Sequence, residues 1–291
     1  MIKRISFLFI ALSILTFGCK KKEELIVVPN NQAPPDHTIA SVVKENYINK
    51  VYISVLGRKP DSVEVTSGLS IINQHNLSVT DRNVFLDTVF SKPRYNQRLY
   101  EIASIKFLTT YDTAAITENI TIFEFLLTDS SYASIFNELH YEIGRLQELK
   151  KIPADLNNGS LSVIGMHKRL LNNYFYDQIN MGTENFVVSS FEHLMDRYPT
   201  DNELEQSSNM VDGLSGVIFL TQGSTKNTYL DIVLNTDNYF ESQVRELYLR
   251  YLFRQPTSVE MTQYGSNYKS NLDYKKLQKA LLSLNEYVGI N

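Results

Sequence analysis

The stretch YISVLGRKPDSVEV, residues 52–65, decides the fold of this chain because it recurs twice without gaps. The second copy is FEHLMDRYPTDNEL, residues 191–204, and the third is YLRYLFRQPTSVEM, residues 248–261. In each copy an aromatic residue stands six positions before an arginine, and a proline stands two positions after that arginine. An internal repeat of this kind predicts tandem modules that share one local structure.

The residues after each proline form the pattern of a capping box at the start of a helix. An aspartate or threonine side chain accepts from the amide of the third helical residue, where a glutamate side chain accepts from the cap's own amide. The preceding proline keeps the incoming chain extended, so each copy predicts a helix, a tight turn and a second helix. The cap residues are Asp61, Thr200 and Thr257, and their glutamates are Glu64, Glu203 and Glu260.

The repeated arginines stand where the first helix of each copy should end. A cation suits the negative end of the helix dipole and can bond the last carbonyls, so we favour a structural role with an ion pair to a nearby carboxylate. A surface that binds acidic groups of a partner is the alternative. The arginines are Arg58, Arg197 and Arg254, and the aromatic residues expected in the core are Tyr52, Phe191 and Tyr248.

Each copy also has a downstream half, in which a serine or asparagine follows two apolar residues and precedes a tyrosine by four positions. These pairs are Ser91 and Tyr95, Asn235 and Tyr239, and Ser283 and Tyr287. A fourth half-copy, with Asn172 and Tyr176, lacks an upstream partner, so residues 110–168 are expected to hold a diverged first half. With apolar spacings of three and four, the pattern predicts an all-α fold of tandem helical modules.

The turn at residues 56–61, Leu-Gly-Arg-Lys-Pro-Asp, together with Ser91 and Tyr95, resembles a domain of unknown function found in exported bacterial proteins. It is more distantly similar to the helical phycobilisome linker domain. In copies two and three, Asp196 and Phe253 stand in place of the glycine. The resemblance implies an all-helical fold and a scaffolding or adhesion role, and it supplies no catalytic residues.

The amino terminus has the features of an exported, lipid-anchored protein. Lys3 and Arg4 precede an apolar run, residues 5–17, and Gly18 stands directly before Cys19, the single cysteine. As a helix the run spans about 20 Å, short of the roughly 30 Å hydrocarbon core, which indicates a signal peptide. The segment resembles the lipobox of bacterial lipoproteins, which implies that Cys19 is acylated. An ordinary secretory signal with an incidental cysteine is the alternative.

The chain divides into four predicted parts. Residues 1–18 are the signal peptide, 19–40 a flexible tether, 41–176 an N-terminal helical region and 177–291 a C-terminal helical region. The tether is rich in proline and poor in apolar residues, so it cannot fold alone. Its Lys-Lys-Lys-Glu-Glu segment, residues 20–24, resembles the export signal of surface lipoproteins of the Bacteroidetes; a solvated charged linker is the alternative.

The sequence shows no pattern typical of a catalytic, cofactor or metal site. The five histidines include no pair at the spacing of a helical zinc site, and His140 lies off the face shared by Glu138 and Glu142. No haem-attachment, phosphate-binding or nucleophile-elbow motif is present. The net charge of −4, with scattered basic residues, argues against a nucleic-acid partner.

We therefore expect a non-enzymatic outer-membrane lipoprotein, on the periplasmic side or the cell surface, that acts as a binding or assembly subunit of an envelope protein complex. A glycan-binding surface lipoprotein is one alternative, since the chain has 18 tyrosines although no tryptophan. A cryptic hydrolase is the other. A large apolar patch favours assembly, an exposed tyrosine groove favours glycan binding, and converging carboxylates or a Ser/His contact favour the hydrolase.

Overall fold

The computed structural model describes residues 38–109 and 112–290. The predicted signal peptide, Cys19 and nearly all of the tether lie outside these residues. Ile39 joins the folded body, since its amide donates to the Asn76 side chain at 3.1 Å, and the first helix begins at Ser41. No helix in the described ranges is both long enough and apolar enough to cross a membrane.

The first part of the chain is helical throughout. Helix α1 spans Ser41–Leu56, α2 Ser62–Ile72, α3 Val79–Phe90 and α4 Pro93–Leu108. Helix α5 spans Thr113–Leu126, and a 3-10 helix, Ser130–Ile135, leads into the long helix α6, Phe136–Asn158. Helices α7, Val163–Leu171, and α8, Tyr174–Ile179, follow.

The second part of the chain adds one hairpin to a further set of helices. Helix α9 spans Thr183–Met195 and α10 Asp201–Val211, followed by strands β1, Gly216–Ile218, and β2, Thr221–Gly223. Helix α11 spans Lys226–Val233, α12 Asp237–Leu252, α13 Ser258–Asn271, α14 Tyr274–Leu282 and α15 Asn285–Val288. The predicted all-α fold is confirmed, with a two-stranded antiparallel sheet as the minor exception.

The repeat corresponds to three modules of four helices each. Module one is α1–α4, module two is α9–α12 and module three is α12–α15, so α12 belongs to two modules at once. Helices α5–α8 form the diverged module, in which α7 and α8 carry the fourth half-copy. Helix α6, with 23 residues, is longer than any helix of the other three modules.

The repeated tyrosines connect the modules. All four are buried, and each hydroxyl forms a hydrogen bond with a residue outside its own four-helix unit or half-copy. A satisfied hydroxyl of this kind contributes about 0.5–1.5 kcal/mol, and an unpaired one would cost more. The pairs are Tyr95 with Gln278 at 2.5 Å, Tyr176 with His193 at 2.9 Å, Tyr239 with His167 at 2.9 Å, and Tyr287 with Ser54 at 3.0 Å.

Two of these bonds join module one to module three, the ends of the folded body. Lys50 adds a third link, because its ammonium donates to the Tyr287 carbonyl at 2.6 Å. The described residues from Ile39 onward therefore form one compact unit with a shared core. The predicted boundary at residue 176 falls inside α8, and the helices on both sides of it contribute to that core.

Candidate functional site

The repeated arginines are bound within their own turns in all three modules. Each guanidinium donates two hydrogen bonds of 2.7–2.9 Å to the cap glutamate and one of 3.0–3.1 Å to the carbonyl of the following residue. Each also lies over the ring of the repeated aromatic residue, with Cζ 5.0–5.4 Å from the ring centroid. These charges are neutralised locally, which leaves little to attract an acidic partner. The pairs are Arg58–Glu64, Arg197–Glu203 and Arg254–Glu260.

The predicted capping boxes are present at Asp61, Thr200 and Thr257. In each, the glutamate carboxylate also accepts from the cap amide at 2.7–3.0 Å, so one carboxylate closes the cap and binds the arginine. The hydrogen bonds from Arg58 lower the pKa of Glu64 to about 2, and those from Arg254 do the same for Glu260. The repeated aromatic rings lie in the core, as expected.

The residue before each arginine adopts a left-handed backbone conformation. Gly57, Asp196 and Phe253 have φ values of 70°, 53° and 55°. Glycine takes this conformation freely and aspartate tolerates it, whereas a bulky side chain is strained there by about 1–2 kcal/mol. Phe253 is nevertheless 82% exposed. Strain at an exposed aromatic residue marks it as a candidate contact for a partner.

The hairpin of β1 and β2 is a second exposed apolar feature, and within the described ranges strands occur only in module two. Its tip consists of Phe219 and Leu220, both with positive φ. Phe219 holds the tip to the body, since its ring stacks on the buried Phe191 with centroids 6.2 Å apart. Leu220 is fully exposed, at 101%. The hairpin therefore presents a large apolar side chain to solvent from a fixed base.

A cleft of about 430 Å³ lies between α6 and α7, and we call it the α6–α7 cleft. Asn227, at the start of α11, also lines it. Tyr141, 54% exposed, supplies a phenol ring to the cleft, and the Arg145 guanidinium lies over that ring, with Cζ 4.8 Å from the centroid. Further residues that line the cleft are His140, Gly144, Glu148, Lys168, Arg169 and Asn172.

Sequence reasoning missed this cleft, although a signal for it exists. Tyr141, Gly144 and Arg145 have the spacing of residues on one helix face, but the sequence-based interpretation of this region addressed only a metal site. Glu142, one of the carboxylates weighed as a metal ligand, forms an ion pair with Arg145. Among the described residues, no group of three His, Cys, Asp or Glu side chains could hold a metal ion.

Two histidines, the buried His167 and the half-buried His193, lie against tyrosine hydroxyls. Burial, with a smaller contribution from Lys106, lowers the pKa of His167 to about 3, so its ring is neutral near pH 7. Burial also lowers the pKa of His193. The Phe107 ring lies beside both, with centroids 5.3 and 5.5 Å away, and each histidine accepts or donates at a tyrosine hydroxyl. Their contacts are those of packed core residues.

Comparison of the chain with protein-family models, with curated proteins and with solved structures finds no match. The resemblance of residues 56–61 to the exported domain of unknown function stays a prediction. The strained Phe253, the hairpin tip and the α6–α7 cleft are therefore the features of the described residues that bear on function.

Proposed function

We propose that this protein is a non-enzymatic, lipid-anchored binding or assembly subunit of a cell-envelope complex. Cys19 holds it at the outer membrane, the tether gives reach, and the helical body binds a protein partner. The observation that carries the proposal is Phe253, an exposed aromatic residue at a backbone position that disfavours it.

The repeat itself supplies the comparison that makes Phe253 informative. The same turn is built with Gly57 in module one and Asp196 in module two, so the fold needs only a residue that accepts a left-handed backbone. Asp196 also accepts a hydrogen bond from Arg245 at 3.0 Å. The left-handed backbone and the exposed ring of Phe253 both destabilise the free protein. Burial of the ring in a complex would offset these costs.

The partner is expected to offer an apolar pocket for an aromatic side chain. Aromatic residues account for many of the strongest single contributions in protein interfaces, through burial at the centre of the contact. Val259, at the start of the next helix, is 74% exposed and adds apolar surface to the same connection between α12 and α13. Leu220 at the hairpin tip is a separate candidate contact.

The experiment is affinity purification of the intact lipoprotein from membranes solubilised in mild detergent, comparing the wild type with Phe253→Gly. We expect a stoichiometric companion protein with the wild type and its loss with Phe253→Gly. The same substitution should raise the melting temperature, because glycine relieves the left-handed strain. Loss of the companion in a more stable variant cannot be attributed to misfolding.

Asp196→Gly is the matched control, since it places glycine at the equivalent turn of module two and should keep the companion. Recovery of the wild type alone, or full retention of the companion by Phe253→Gly, would contradict the proposal. The anchor is tested separately with Cys19→Ala, which should move the protein out of the membrane fraction. A variant that stays with the membranes would refute the lipid anchor.

A further inference from the structure

We propose that the α6–α7 cleft is a binding site for a neutral saccharide. This goes beyond the assembly role, because the cleft lies in the diverged module and shares no residue with the turn at Phe253. Its volume of about 430 Å³ falls within the range of roughly 300–1,000 Å³ typical of small-ligand sites. The assignment rests on its aromatic ring, its charge balance and its carboxamides.

The aromatic ring is held ready for a ligand. Arg145 packs against the Tyr141 ring and is itself bound to Glu142, Asp177 and the Asn172 side chain, which limits its movement. Tyr141 remains 54% exposed despite this contact. A fixed, accessible aromatic ring offers the apolar surface on which the C–H face of a sugar can stack, and its hydroxyl adds a hydrogen-bonding group.

The charges around the cleft favour a neutral ligand over an anion. The three Lys and Arg side chains that line it are already paired with five carboxylates of the protein, so they leave no excess positive charge to face the ligand. A phosphate or carboxylate group would have to displace one of these internal partners. The pairs are Arg145 with Glu142 and Asp177, Arg169 with Glu148 and Asp155, and Lys168 with Asp231.

The carboxamides supply oriented polar groups of the kind that sugar hydroxyls need. The Asn172 Oδ1 accepts from Arg145 at 3.1 Å, and its Nδ2 donates to Oδ1 of Asn227 at 3.0 Å. Within the described part of the chain, Nδ2 of Asn227 has no partner, so it is available to donate to a ligand hydroxyl. Donors and acceptors side by side suit a group that both donates and accepts.

Gly144 leaves the cleft open beside the aromatic ring. A Cβ at this position would meet no other atom within 4 Å, so the absence of a side chain is not required for packing. Glycine in a helix interior costs about 0.5–1 kcal/mol relative to alanine. Gly144 therefore lowers the stability of α6 at the point where a larger side chain would fill the cleft.

The test is calorimetric titration of the intact lipoprotein in a detergent without a sugar headgroup. The neutral probes are maltohexaose, cellohexaose, mannohexaose and N-acetylchitohexaose; hexagalacturonate and inorganic phosphate are the anionic probes. We expect saturable binding of at least one neutral hexasaccharide and none of the anions. Tyr141→Ala should weaken that binding by about tenfold or more, and Tyr141→Phe should stay within about threefold of wild type.

Gly144→Gln separates binding from folding. It should fill the cleft and weaken binding by about tenfold or more, while the melting temperature is unchanged or higher. Tyr198→Ala, which removes a 68% exposed tyrosine elsewhere on the surface, is the matched control and should bind as the wild type does. Tyr141→Ala should also keep the companion protein, and Phe253→Gly should keep the saccharide, so the two proposals fail independently.

Three results would overturn the saccharide assignment. The first is failure of every neutral probe to bind at millimolar concentration. The second is binding restricted to hexagalacturonate or phosphate, which would make the cleft an anion site. The third is equal loss of affinity in the Tyr141 and Tyr198 variants, which would place binding outside the cleft.

Discussion

Replacement of Glu203 by alanine tests the interpretation of the repeated turn most directly. In module two this carboxylate binds Arg197 at 2.8 and 2.7 Å and the Thr200 amide at 2.8 Å, and no other cation of the described residues shares it. Loss of a cap interaction costs about 1 kcal/mol, and a partly exposed ion pair contributes about 0.2–1 kcal/mol. We expect Glu203→Ala to lower the free energy of unfolding by about 1–2 kcal/mol, or the melting temperature by about 2–8 °C.

The three copies should rank in a definite order, because their surroundings differ. Glu64 also binds Lys92 at 2.9 Å, so Glu64→Ala should cost more than Glu203→Ala. Arg254 has a second carboxylate partner, Glu286, and keeps it when Glu260 is removed, so Glu260→Ala should cost least. Urea denaturation of the three variants measures the order. A reversed order, or a cost below about 0.5 kcal/mol for Glu203→Ala, would refute the reasoning.

Two further predictions concern the core and the hairpin. The folded state keeps His167 neutral, with a pKa of about 3, whereas the unfolded chain binds a proton near pH 6.5. The free energy of unfolding should therefore fall by up to about 1.4 kcal/mol for each unit by which the pH is lowered between these two values. His167→Gln should flatten that fall in urea titrations, and unchanged slopes would contradict the prediction. Gly216→Ala places a Cβ 2.2 Å from the Gln206 carbonyl oxygen, so it should destabilise the protein by about 1–3 kcal/mol, whereas Gly144→Ala should be neutral or stabilising; equal melting temperatures would mean that the hairpin does not pack on α10.

The turns could be predicted from the sequence because their causes are local. A proline, a cap residue and a glutamate within five positions determine the start of α2, α10 and α13, and the structure has all three caps. The ion pair of each arginine with a carboxylate also follows from this spacing. The left-handed residue in front of the arginine is harder to predict, since Phe253 gives no sign of it.

Contacts between modules could not be predicted, because they depend on how distant helices pack. The sequence indicates that Tyr95 packs back on its own helices, and its burial agrees. Nothing in the sequence points to Gln278, which lies 183 positions away and accepts from the Tyr95 hydroxyl. The hairpin was missed for another reason: strands of three residues are too short to show an alternating pattern.

The departures from the repeat are more informative about function than the repeat itself. The repeated caps, ion pairs and tyrosines all have partners inside the protein, so folding alone explains them. Phe253, Leu220 and Gly144 are different, since each lowers stability where a more suitable residue would serve the fold equally well. A residue that costs stability without an internal partner is best explained by an external one, and these three positions are where protein and ligand contacts should first be sought.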